Sequence, residues 1–204
     1  MFFLFFSLPV APSYSDERDV DAARRGNLDA FDRLVECHQE RIFRFCLWSL
    51  QDRDEAQDAA QDTFIRAYRH LKSFRGDSSF ATWLHRIAIN VVRDSAKRRQ
   101  KAPRPFSTLT KEDEEGDFDP PSDAPQPSQT ALEHERRLAV RVALGKISDQ
   151  HRAVLVLFDL EGRSYEECCA LLELPMGTLK SRLNRARAAL KEALGDSKEL
   201  FELG

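Results

Sequence analysis

The feature that most constrains this chain is a break in its middle. Between Pro103 and Pro127 lie six of its nine prolines, and from Lys111 to Asp123 one lysine faces seven acids, a local charge of -6. Such a stretch repels itself and holds too few apolar side chains to order around a core. It reads as a linker, so whatever folds must fold on either side of it. The 204 residues then divide into two short pieces, each long enough for one small core. With only 8 glycines and abundant Ala, Leu, Arg and Glu, both pieces favour helix. The expected fold class is all-α, two small helical domains joined by a flexible acidic Pro-rich linker. The expected limits are a leader at 1–14, a first domain at 15–102, the linker at 103–130, a second domain at 131–195 and a tail at 196–204.

The ends and the cysteines add little chemistry. Met1 to Val10 is an apolar run without the basic flank of a secretory signal, and reads as a leader outside the folded part or upstream of the true start. No run of about 18 apolar residues exists to span a membrane. Cys37, Cys46, Cys168 and Cys169 form no metal-binding spacing, and the five histidines form no metal set, so neither metal nor cofactor is expected. Cys168 and Cys169 are expected to be buried and inert.

The net charge of -3, from 31 basic and 34 acidic side chains, argues at first against nucleic acid. It is a cancellation. Residues 93–104 carry six bases and one acid, residues 180–191 carry five bases and no acid, and the linker offsets both.

Helical periodicity places these charges. In the first piece Gly26 and Asn27 separate a short leading helix from one that buries Phe31, Leu34, Ile42 and Phe45, and another helix follows Asp52. That helix turns Ala56, Ala60, Thr63 and Ala67 inward and leaves Asp58 and Asp62 outside, with Gln61 close by. After the loop from Phe74 to Ser79, Phe80, Trp83, Leu84, Ile87, Ala88 and Val91 form the next buried stripe, opposite Thr82, Arg86, Asn90, Arg93 and Lys97. In the second piece Ser164 and Glu167 have capping-box spacing, and a turn at Pro175 leads into a basic last helix. Its Leu179, Leu183, Ala186 and Leu190 face inward while Lys180, Ser181, Asn184 and Arg185 face out. Two helices about a short turn, the second basic, form a helix-turn-helix pattern whose outer face has the side chains that read base edges.

Two features stay open on residues alone. The basic run from Arg93 reads as phosphate contact, supported by its continuity with Arg86 and Asn90 and its closeness to Phe74, Phe80 and Trp83, or as a solvated helix end. The cluster Asp58, Gln61, Asp62 reads as a solvated face, an acid/base pair or a protein-docking face.

A longer pattern resolves them. Asp58-Ala59-Ala60-Gln61-Asp62-Thr63-Phe64-Ile65-Arg66-Ala67-Tyr68, followed by Phe74-Arg75-Gly76-Asp77-Ser78-Ser79-Phe80-Ala81-Thr82-Trp83-Leu84-His85-Arg86-Ile87-Ala88-Ile89-Asn90, resembles region two of bacterial extracytoplasmic-function sigma factors. Ser164 to Glu167 and Pro175 to Arg187 resemble their region four. The resemblance implies a non-enzymatic, cytoplasmic transcription initiation factor that binds core RNA polymerase and promoter DNA, takes no small-molecule substrate and is often held by an anti-sigma factor. It implies that Asp58, Gln61 and Asp62 dock on the polymerase. Phe74, Arg86, Asn90, Arg93 and Lys97 would then hold the melted minus-ten element, Phe74 and Asn90 around a flipped base, and Lys180, Ser181, Asn184 and Arg185 would read the minus-thirty-five element. Trp83-Leu84 replaces the paired tryptophans of housekeeping factors, which implies weaker melting and stricter promoter demands. The alternative is a helix-turn-helix regulator that binds duplex DNA without polymerase.

Overall fold

A computed structural model describes residues 16–101, 127–195 and 197; the leader, most of the linker and most of the tail lie outside them. The described residues form helices and turns, with no strand: α1 Glu17–Arg24, α2 Leu28–Leu50, α3 Arg53–His70, α4 Phe80–Lys101, α5 Pro127–Lys146, α6 Asp149–Leu155, α7 Tyr165–Leu172 and α8 Met176–Leu194. A 3-10 turn at Leu71–Ser73 follows α3, and a π-helical turn at Val156–Leu160 follows α6. The chain is all-α, and none of the described helices is long and apolar enough to cross a membrane.

The helix boundaries follow local chemistry. Asn27 caps α2 by accepting from Ala30 N at 3.0 Å, after Gly26 takes a φ of +96° that an L side chain resists. Asp52 caps α3 by accepting from Glu55 N at 2.9 Å, and α3 runs from acidic Asp54 and Glu55 to basic Arg69 and His70, matching its dipole. α5 starts at Pro127, inside the segment read as linker, because proline fits a first helical turn where its missing N–H is not needed.

In the first domain, α2 packs on α3 and α4, and α1 packs on α2. The inner face of α3 is small, with Ala56, Ala59, Ala60, Thr63 and Ala67 buried, which lets α2 approach it closely, while the Phe45 ring of α2 meets His85 of α4 at 5.7 Å. In the second domain α6 and α5 pack on α8, and α7 joins α8 through the turn at Glu173.

The two domains touch. α2 packs on α6 and on the π-helical turn, and α4 packs on α7. Among the described residues one apolar cluster continues through both, from Leu34, Phe45 and Ile89 to Leu157, Leu172 and Leu179. Ile89 is therefore buried although it lay outside the expected α4 stripe.

Candidate nucleic-acid interface

α4 carries the first candidate surface. Arg86, Asn90, Arg93 and Lys97 recur at intervals of four, three and four, and all four are exposed, while Leu84, Ala88 and Val91 are buried behind them. The loop before α4 is shaped by Ser79, whose hydroxyl accepts from Thr82 N at 3.2 Å and whose carbonyl accepts from Trp83 N at 3.0 Å. Phe74 is placed differently from its expected partners. It is 8% exposed and packs its ring 5.1 Å from Trp83 and 6.1 Å from Phe80. Phe74 and Phe80 are core, Trp83 is half-buried, and Phe74 must leave this aromatic cage before it can meet a base.

α3 carries the second. Asp58 and Gln61 are exposed, but Asp62 is partly buried and engaged. Its carboxylate pairs with Arg66 at 2.8 Å, and Arg66 reaches Asp94 of α4 at 3.2 Å. The two acids hold the Arg66 guanidinium above its usual range, chiefly by hydrogen bonding. Arg66 thus braces α3 on α4, and Asp62 holds Arg66 from within α3. Beside Gln61 runs a groove of about 880 Å³ between α2 and α3, lined by Phe31, Val35, Phe43, Phe64, Ile65 and Tyr68. Ile65 and Tyr68 remain 41% and 46% exposed at its rim. The apolar groove was not read from the sequence, because its α2 wall lies outside the motif.

α7 and α8 carry the third. The capping box is complete: Ser164 accepts from Glu167 N at 3.1 Å, and the Glu167 carboxylate accepts from Ser164 N at 2.9 Å. α7 ends in left-handed Glu173, whose N–H returns to Cys169 O. Lys180, Ser181, Asn184 and Arg185 are all exposed at the start of α8, and Leu179, Leu183 and Ala186 are buried beneath them. The helix is also held from the side. Lys180 sits 5.4 Å over the Tyr165 ring, Tyr165 packs 4.4 Å from Phe158, and Arg187 lies 5.6 Å over Phe158 and binds Asp159 at 2.6 Å. Cys168 is buried as expected and burial pushes its thiol up to about 12, but Cys169 is only partly covered.

The chain matches the Sigma-70 region 2 model over residues 34–102 and the Sigma-70, region 4 model over residues 137–190. It is 40% identical to the RNA polymerase sigma-H factor of Pseudomonas aeruginosa, over 88% of this chain and 93% of that one. It is 31% identical to the ECF RNA polymerase sigma factor SigW of Bacillus subtilis, over 88% and 97%. Among solved structures it resembles CnrH in complex with the cytosolic domain of CnrY, with a TM-score of 0.62, 28% identity and coverage of 88% and 96%. With the helices, the order of the two domains and the relatives in agreement, the chain belongs to the extracytoplasmic-function sigma factors.

Proposed function

We propose that this alternative sigma factor docks on core RNA polymerase through the exposed α3 face at Asp58 and Gln61, with Asp62 at its edge. The neighbouring groove supplies an apolar patch of the kind that gives a docking face its binding energy. The four exposed α4 side chains Arg86, Asn90, Arg93 and Lys97 hold the melted minus-ten strand, three through charge and Asn90 through its amide. Phe74 joins them once released from Phe80 and Trp83. Lys180, Ser181, Asn184 and Arg185 read the minus-thirty-five duplex from the first turns of α8. The protein works in the cytoplasm, catalyses no reaction itself and is restrained by an anti-sigma factor.

The observation that carries this reading is the pairing of two separate basic faces, on two domains that match region 2 and region 4 in order. A duplex-only regulator needs the α8 face and has no use for the others. Binding of purified core polymerase to the full chain tests the reading: a stable complex weakened by Gln61→Arg supports it, and no complex under conditions where a control sigma factor binds would remove it.

A further inference from the structure

The start of α1 is tied to the aromatic cage around Phe74. Asp16 occupies the cap position of α1, yet its side chain makes no cap to that helix. Its two carboxylate oxygens instead share the Nε2–H of His38, 22 residues on in α2, at 3.1 Å each. A second acid of α1, Asp19, accepts from Nε of Arg33 at 3.0 Å, so α1 is held on α2 at two points. α1 also packs on the 3-10 turn Leu71–Ser73, the segment that delivers Phe74 to its loop.

The His38 ring continues the connection. It lies 5.4 Å from the ring of Phe80, tilted by 56°. Phe80 is 3% exposed and forms one wall of the cage, 6.1 Å from Phe74 and 5.7 Å from Trp83. Contacts therefore run from Asp16 through His38 and Phe80 to Phe74. Asp16 and His38 leave only 14% and 13% of their side chains exposed, a setting in which a hydrogen bond is stronger than on an open surface.

Beside the cage there is room for it to open. A cavity of about 630 Å³ lies between the start of α1 and the loop, with Asp16, Val20, Phe74, Gly76, Ser79 and Phe80 in its wall. Phe74 packed against its neighbours is unavailable to DNA, and Phe74 in the open has lost its burial. Two arrangements of one side chain compete, and whatever holds Phe80 in place favours the closed one.

We infer that Asp16 and His38 are positioning residues for the minus-ten contact: through their hydrogen bond α1 holds Phe80 against Phe74 and sets the fraction of molecules in which Phe74 is free to meet a base. The inference rests on the function proposed above for the role of Phe74, while the clasp itself is a property of the free chain. A residue needed only for folding weakens DNA binding when it is lost. A residue that holds the cage shut has the opposite sign, because apparent affinity rises with the competent fraction.

Two readouts on the full chain test it, with circular dichroism as the check on folding. In a Trp48→Phe background Trp83 is the remaining tryptophan, so its emission reports the cage. Asp16→Ala removes the carboxylate, and His38→Phe keeps a ring against Phe80 while removing the N–H. Each should shift Trp83 emission to the red with helicity unchanged. In complex with core polymerase, each should also bind a single-stranded oligonucleotide carrying the non-template minus-ten strand of a mapped promoter about fivefold tighter than the wild type. The double variant should gain no more than either single one, since both remove the same contact. If Asp16→Ala loses helicity, His38→Phe decides by the same readouts. Unchanged emission overturns the inference, and so does a red shift with unchanged or weaker affinity where the wild type binds. A red shift with no oligonucleotide binding by any form, wild type included, supports the clasp and contradicts the minus-ten role of Phe74 instead.

Discussion

Arg152 and Ser49 are 103 residues apart in the chain, and the guanidinium of one donates to the carbonyl of the other at 2.8 Å. The same guanidinium donates to Leu144 O at 2.8 Å and Ile147 O at 3.1 Å, so one cation serves the C-terminal ends of α5 and α2 together. Burial lowers its pKa, opposed by nearby Asp149. Arg152→Met should destabilise the full chain by roughly 3 kcal/mol, since four carbonyls, those of Ser49, Leu144, Gly145 and Ile147, lose a charged donor. Arg152→Lys should recover only part, because one ammonium cannot span the four acceptors. Chemical denaturation measures both; equal stability of Arg152→Met and wild type would mean that water replaces the guanidinium without loss.

Glu161, buried at the domain contact, should make stability pH-dependent. Burial alone raises its carboxyl, but His85, Arg163 and Arg41 outweigh burial and hold it below the ordinary 4.5. Glu167 is held below its ordinary value in the same way by Ser164 and Arg163 against burial. A carboxyl depressed in the folded state stabilises it above the unfolded value, and that contribution disappears as pH falls through 4.5 and below. Stability should therefore decline from about pH 5 downward, and Glu161→Gln should flatten part of that decline. An unchanged slope in Glu161→Gln would assign the acid sensitivity elsewhere.

The α3 face separates docking from bracing. Asp58→Arg and Gln61→Arg alter exposed positions, and each should weaken polymerase binding at least about tenfold, or 1.4 kcal/mol, with melting unchanged. Asp62→Ala also releases Arg66 from one of its two acids, so it should lower stability by about 0.5 kcal/mol, the small figure proper to a partly exposed pair. Binding assays run beside thermal melts distinguish the two; equal melting for all three would remove the bracing role.

On α8, Lys180→Ala and Arg185→Ala should each cost about 1 to 3 kcal/mol in affinity for a cognate duplex and relax the preference at one base pair. Tyr165 supports Lys180 by its ring, so Tyr165→Leu should cost about 0.5 to 1 kcal/mol while Tyr165→Phe costs nothing. A loss in Tyr165→Phe equal to that in Tyr165→Leu would assign the effect to the hydroxyl.

What is legible in the sequence is what depends on near neighbours. Asn27, Asp52 and the Ser164–Glu167 box act within three residues, and the alternation of Leu84, Ala88 and Val91 with Arg86, Asn90 and Arg93 is a property of one helix. The parts that were missed depend on distant partners. His85 and Ile89 widen the buried stripe of α4 only because the second domain lies on it, and Arg163, its partner, is 78 residues away. Arg152 and Arg163 look in sequence like any surface bases. Phe74 matched a family position for base contact, but its burial depends on Phe80 and Trp83 closing over it. The groove beside Gln61 escaped because half its wall belongs to α2.

The most direct test of the account is run-off transcription with purified core polymerase, the full chain and templates drawn from sites where the protein and polymerase coincide on the genome. Initiation should depend on the protein, begin at one position on each template, and fall with Gln61→Arg, Asn90→Ala and Lys180→Ala, each acting on a different face. Absence of protein-dependent initiation on every template, with the same core active under a control sigma factor, would contradict it.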